Sequence, residues 1–212
     1  MDQAVEAVLG ALEARSQREW QGGVEGSVRI DIDRRDQMLL SVGRDAGQFL
    51  NSLARGAGVK RILELGSSYG YSTVWLADAA KANGGKVVSV DLADYKQANA
   101  EQLLGQAGLG GIVEFHTGDA IELIPTLEGA FDLVLMDIWK DLYLPALERV
   151  IPKLAPGGVI VADNMLRPES DRPHALAYRR AVRAIPGMSS VLLDIGQGLE
   201  VSRLKGPQDQ GL

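Results

Sequence analysis

Residues 60–91, KRILELGSSYGYSTVWLADAAKANGGKVVSVD, decide the fold. KRILELG (60–66) is a short apolar run ending in glycine, which reads as a buried strand. YSTVWLADAAKA (71–82) reads as a helix, and GKVVSVD (85–91) as a second strand that ends in an acid. Strand, glycine turn, helix, strand is the unit of a parallel sheet, because parallel neighbours need a crossover.

The same rhythm continues toward the C-terminus. YKQANAEQLLGQAG (95–108) reads as a helix ended by glycine. Next come a strand at VEFHTGD (113–119), a short helix at AIELIPTL and a strong strand at FDLVLMD (131–137). A helix over YLPALERVIPKL (143–154) leads through a turn at APGG to the strand VIVAD (159–163). Strands apolar on both faces predict a mostly parallel sheet with helices on both sides. SSVLLDIG (189–196) and GLEVSRL (198–204) are separated by almost nothing, so an antiparallel hairpin is expected there.

Ahead of the first strand, the first 35 residues read as amphipathic helix, with Val5, Leu9 and Leu12 at helical spacing. The polar stretch QGGVEGS (21–27) interrupts them. A further helical segment from Asp45 to Ala54 carries Phe49, Leu50 and Leu53 on one face. No repeat or linker divides the chain. One domain over 1–212 is expected, with residues 1–40 as a helical extension.

The 212 residues are 46% hydrophobic and 24% charged, an ordinary globular profile. No window approaches the roughly 18 uninterrupted apolar residues of a membrane span, and the N-terminus lacks a basic start before an apolar run. Neither a membrane partner nor a secretory leader is therefore expected, and cytoplasm is the expected location. The absence of cysteine excludes disulfides and thiolate-bound metals. A formal charge of −6 argues against a nucleic-acid surface, which needs clustered Lys and Arg. The densest basic cluster, Arg179, Arg180 and Arg183, is expected to be a solvated helix face. His116, within a strand, and His174, expected in a loop, suggest no ligand pair.

Ligands of open parallel sheets bind beyond the carboxyl ends of the strands. ELGSSYGYS (64–72) sits at such an end, and Gly66 and Gly70 let its backbone turn sharply and approach a ligand. Asp91, ending the second strand, suits a pair of ribose hydroxyls. Gly118-Asp119, ending the third, is positioned to meet an adenine ring. The pattern is E-x-G-x-x-x-G rather than the G-x-G-x-x-G that brings amides against a pyrophosphate. Glu64 in that position suits a cationic ligand, and S-adenosylmethionine is a nucleoside with an amino group and a sulfonium but no phosphate.

Asp137 ends one strand and Asp163-Asn164 the next. Each acid alone is as readily a helix cap. Together they offer two carboxylates and a carboxamide oxygen near one point, a hard donor set that suits Mg²⁺. Lys140 lies three residues past Asp137, and a cation beside a lysine favours the neutral form that a general base requires.

LELGSSYGYS, FDLVLMDIWKDLYLP (131–145), ADN (162–164) and GLE (198–200) closely resemble the catechol O-methyltransferases, in register over roughly residues 38 to 207. The resemblance implies a Rossmann-like class I methyltransferase fold, α/β, with a seven-stranded sheet and an antiparallel last strand. It implies S-adenosylmethionine as methyl donor and a catechol-like small molecule as acceptor. Asp137, Asp163 and Asn164 would hold Mg²⁺ or another divalent cation, with the acceptor's oxygens completing the shell. Lys140 would take the proton of the attacking hydroxyl, and Glu200 would hydrogen-bond the second one. Val42, Glu64, Gly66, Tyr69, Ser72, Asp91, Asp119 and Asp137 would meet the cofactor. Trp139, Pro168 and Leu199 would wall the aromatic ring, beside Asn164 and Glu200.

Trp139 also separates this chain from the caffeoyl-CoA type, where the motif reads D-A-D-K, although an acceptor of that kind or another larger vicinal diol stays the alternative. Met38 and Leu40 stand where the animal enzymes carry tryptophan and methionine, Ile138 replaces a histidine and Ala120 a hydroxyl residue. The glycine pattern and the hairpin argue against a nicotinamide-dependent oxidoreductase. Asp137, Lys140, Asp163, Asn164 and Glu200 together argue against a non-catalytic binding module. Monomer and homodimer are both open: the N-terminal helix either covers the site or meets its copy.

Overall fold

The computed structural model of the chain describes residues 1–21 and 37–209. Residues 22–36, with nearly all of the interruption expected at 21–27, lie outside them. In chain order the elements are α1 (Gln3–Gln21), α2 (Arg44–Gly56), β1 (Arg61–Leu65), α3 (Tyr71–Ala82), β2 (Lys86–Asp91), α4 (Asp94–Gln106) and β3 (Val113–Thr117). There follow α5 (Ala120–Leu123), β4 (Phe131–Met136), α6 (Tyr143–Val150), β5 (Leu154–Ala162), α7 (Arg172–Ala184), β6 (Met188–Leu193) and β7 (Leu199–Leu204).

The seven strands form one sheet in the order β3-β2-β1-β4-β5-β7-β6. β1 pairs in parallel with both β2 and β4, and β4 with β5. Only β7 runs against its neighbours, antiparallel to β5 and to β6. The chain steps outward from β1 to β3 and then returns to β4, so the order reverses between β1 and β4. Their carboxyl ends border the crevice where such sheets bind ligands.

Successive strand residues face opposite ways and give two cores. Ile62, Leu133, Leu135 and Val161 face Leu9, Leu50, Trp75 and Leu104 of α1 to α4. Leu63, Leu65, Val134 and Ile160 face Tyr143, Tyr178 and Val182 of α6 and α7. Burial of both faces is why the strands read as unbroken apolar runs. Gly47 lets α2 lie against α3, since a Cβ there would fall 2.3 Å from the Trp75 indole nitrogen.

Three expectations need correction. Residues 155–158, read as a turn, belong to β5, whose pairing with β4 shifts register between Phe131 and Leu133. Proline and two glycines are tolerated there because the ladder is already irregular. His174 lies in α7 rather than in a loop, with Pro173 in the helix's first turn, where its missing N–H costs nothing. Arg179 and Arg183 are more than a solvated face: Arg183 stays partly exposed, but both guanidiniums bond the carboxylate of Glu200.

Candidate active site

The loop after β1 is shaped by close contacts. Gly66 has φ +94°, and a Cβ on it would lie 2.1 Å from the carbonyl oxygen of Asp137. Gly70, at φ +91°, would set a Cβ 2.7 Å from that of Ala100. Ser68 between them adopts φ +44°, and only two other described non-glycine residues have positive φ, Leu40 and Asn164. Ser68 and Asn164 border the candidate site, where such conformations concentrate.

Asp91 reaches back to this loop: its Oδ2 accepts from the Ser68 amide at 2.8 Å and its Oδ1 from the Ala93 amide at 2.9 Å. Leu92 and Tyr95 are exposed beside it. Tyr69 is buried between an edge contact with Tyr95 and the Arg15 guanidinium, 3.7 Å above its ring. α1 is further tied to this region by the Glu19 carboxylate, which accepts from the Leu39 amide at 2.8 Å, and by the Tyr71 hydroxyl, which donates to Glu13 at 2.7 Å. Val42 is buried nearby, 3.0 Å from where a Cβ on Gly196 would stand.

Glu64 lies beneath the loop rather than open to its mouth. Its fully buried carboxylate accepts from the hydroxyls of Ser72 at 2.6 Å, Thr73 at 2.7 Å and Ser89 at 2.6 Å. Burial pushes it up to about 7, against the pull of the Ser72, Ser89 and Thr73 hydrogen bonds. The acid thus binds the first turn of α3 to β2. Asp119 caps α5 by accepting from the Ile121 amide at 2.7 Å.

The strand ends of β4 and β5 bring Asp137 and Asp163 together. The Asp137 amide continues the ladder to Leu65, and the Asp163 amide continues it to Met136. Asp163 is buried, and its Oδ1 has no hydrogen-bond partner among the described residues. Burial first, and the charge of Asp137 second, push its carboxyl up to about 7. Asn164 follows in the left-handed region at φ +58°, which asparagine tolerates better than most residues.

Lys140 closes the cluster. Its side chain is largely buried, and its Nζ donates to Asp137 Oδ1 at 3.2 Å, to the Ile138 carbonyl at 2.9 Å and to the Tyr143 hydroxyl at 2.8 Å. Trp139 is exposed at 46% beside the buried polar cluster. Pro168, after a cis peptide bond, is exposed, and Leu199 is buried in the first core.

Two carboxylates and a carboxamide at adjacent strand ends, one oxygen of them orphaned, fit a small hard cation. A buried acceptor left unpaired costs free energy, and a cation would satisfy it.

A family described as "Methyltransferase domain" matches residues 63–165. The catechol O-methyltransferase of Mycobacterium tuberculosis (strain ATCC 25618 / H37Rv) is 34% identical over 163 residues, covering 73% of this chain and 74% of that protein. This chain belongs to the class I S-adenosylmethionine-dependent O-methyltransferases. The catechol O-methyltransferase of Niastella koreensis is 38% identical over 132 residues. That match covers 60% of this methyltransferase and 59% of the relative, so it spans less than two thirds of the relative's length. Among solved structures, cofactor-bound Rv0187 from MTB superimposes with a TM-score of 0.76 at 26% identity, over 97% of this chain and 91% of that one.

Glu200 is the expected site residue whose contacts lead away from the cluster. It is fully buried in β7, opposite Ala162, and accepts from Arg179 at 3.0 Å, Arg183 at 2.6 Å and the Ser190 hydroxyl at 2.6 Å. Burial pushes its carboxyl up, but these donors outweigh that and hold it below the ordinary glutamate range. Sequence reasoning missed the part of these arginines, the Thr73 and Ser89 hydroxyls on Glu64, and Tyr143. A helix spacing of four between Arg179 and Arg183 was the one signal available for the first pair.

Proposed function

We propose that this chain transfers the methyl group of S-adenosylmethionine to one hydroxyl of a catechol-type small molecule, with Mg²⁺ or a similar cation held by Asp137, Asp163 and Asn164. The orphaned Asp163 Oδ1 beside the Lys140–Asp137 pair is the observation that carries this reading. When bound, the cation would supply a Lewis acid that acidifies an adjacent hydroxyl. The cofactor would supply a sulfonium methyl.

The chain's own residues do the rest. Lys140 Nζ, fixed beside Asp137, serves as general base once its ammonium has given up one proton to solvent, and then takes the proton of the reacting hydroxyl. Trp139 and Pro168, both exposed at the rim, flank the acceptor ring and exclude water from one face of it. Gly66 and Ser68 shape the cofactor loop, Asp91 takes the ribose hydroxyls, and the exposed Leu92 and Tyr95 offer an apolar bed for the adenine. Glu64 acts from below, holding Ser72 in place. Holding donor and acceptor in line contributes about 7–11 kcal/mol in favourable cases.

Glu200 takes a different part from the one its motif suggests. With three donors of the chain on its carboxylate, it holds α7 against the hairpin rather than the acceptor's second hydroxyl.

Paired acceptors test the reading. Catechol is expected to be methylated and phenol, which lacks the second oxygen, to be inert. Equal turnover of the two would overturn a vicinal-diol site. Turnover confined to bulky diol esters would favour the caffeoyl-CoA-like alternative.

A further inference from the structure

The Tyr143 phenol joins three parts of the site that sequence spacing leaves unconnected. Its ring is fully buried at the start of α6 and packs edge-on against Tyr178, with centroids 5.4 Å apart. Its hydroxyl accepts from Lys140 Nζ at 2.8 Å. The same hydroxyl faces two carbonyl acceptors, Met136 at 2.7 Å and Asp163 at 3.1 Å. Met136 immediately precedes Asp137, and Asp163 immediately precedes Asn164. One hydroxyl therefore touches the backbone at both strand ends that carry the candidate ligands, and the lysine between them.

Geometry fixes the direction of these bonds. A phenol has one proton, and both carbonyls can only accept, so that proton points at the strand ends. The lone pair turned the other way receives Lys140. Asp137 Oδ1 and the Ile138 carbonyl take the other two donors of the ammonium, so all three are directed. A lysine has a flexible four-carbon stem, and without such a seat its Nζ samples many positions.

We infer that Tyr143 is a positioning residue for the methyl-transfer reaction: its hydroxyl seats Lys140 at a fixed place relative to the ends of β4 and β5. The inference rests on the reading of Lys140 as the base. Tyr143 touches neither donor nor acceptor and acts through the lysine alone.

A double-mutant cycle tests this. Tyr143→Phe keeps the buried ring and its contact with Tyr178 and removes only the hydroxyl. In the wild-type background it is expected to lower kcat about tenfold or more, as loss of a charge-assisted hydrogen bond does, with the KM for S-adenosylmethionine within about twofold. In a Lys140→Met background the same change is expected to lower the residual kcat by less than about twofold, because partners in one network are not additive. Mn²⁺ binding by titration calorimetry gives a readout apart from turnover, and Tyr143→Phe is expected to leave it within about twofold, because the role runs through the lysine; a several-fold loss would mean that the hydroxyl acts on the strand ends instead. An equal loss of kcat in both backgrounds, or an unchanged kcat in Tyr143→Phe, overturns the positioning role while the methyltransferase reading stands. Should Tyr143→Phe fail to fold, Tyr143→His, which keeps a ring and a polar edge, replaces it in the same cycle. A wild-type protein that methylates no diol overturns the reading and this inference with it.

Discussion

Gly66 packs directly against the backbone of Asp137, with room for no side chain: a Cβ would sit 2.1 Å from the Asp137 carbonyl oxygen. The turn proposed to shape the cofactor site and the strand end proposed to offer a metal ligand are thus one contact. A change at either is transmitted to the other through backbone, which gives little.

Gly66→Ala is expected to disturb both at once. Its φ of +94° costs an alanine about 1–3 kcal/mol, and the clash adds to that. Calorimetry should find a lower melting temperature, and titration with S-adenosylhomocysteine an affinity weaker by about tenfold or more. Wild-type values for both would mean that the loop relaxes freely.

Asp163 should matter to a cation more than to folding. Its Oδ1 has no partner to lose, so Asp163→Asn is expected to keep the melting temperature while Mn²⁺ affinity falls by at least about tenfold. Unaltered Mn²⁺ binding in that variant would remove Asp163 from the metal site.

Glu64 gives a pH signature of a particular sign. Its carboxyl stands near 7 in the fold against an ordinary 4.5, so folding takes up a proton between these values. Stability contributed by the protonated acid is complete below about 4.5 and declines as pH rises toward 7. Glu64→Gln should flatten that part of the stability curve measured by urea unfolding. A variant curve parallel to that of the wild type would rule out this assignment.

Glu200 should behave in the opposite sense. Its carboxyl lies below the ordinary range, so its stabilising effect is present above that range and is lost as pH falls through the lowered value. Glu200→Gln is expected to cost about 2–3 kcal/mol at neutral pH, less than a fully buried pair because Arg183 reaches water. The gap from wild type should close on acidification, and the KM for the acceptor should stay within about twofold, as expected of a group that bonds only the chain's own donors. A large rise in that KM would return Glu200 to the acceptor.

The fold was readable in the sequence where burial alone decides it. Strands covered on both faces show as VIVA or LVLM whatever lies above them, and the near-contiguous 189–204 segments admit little but a hairpin. APGG misled because turn residues also mark an irregular strand start. The start of α7, where His174 was expected in a loop, was missed beside Pro173, since proline opens helices as readily as it stops them. That Asp137, Lys140 and Asp163 come close together, with Asn164 next in the chain, was legible because strand ends place side chains by topology. The seat of Lys140 on Tyr143 and the claim of two arginines on Glu200 were not. They depend on which way a side chain turns after α6 and α7 have packed, and no periodicity in one sequence encodes that.

The central claim is methyl transfer that depends on a cation at Asp137, Asp163 and Asn164. The most direct measurement follows labelled methyl from S-adenosylmethionine to catechol, first with Mg²⁺ and then with excess chelator. Product that disappears with the chelator and returns when Mg²⁺ is restored is the expected result. Undiminished transfer in the chelator would contradict the metal site and the mechanism built on it.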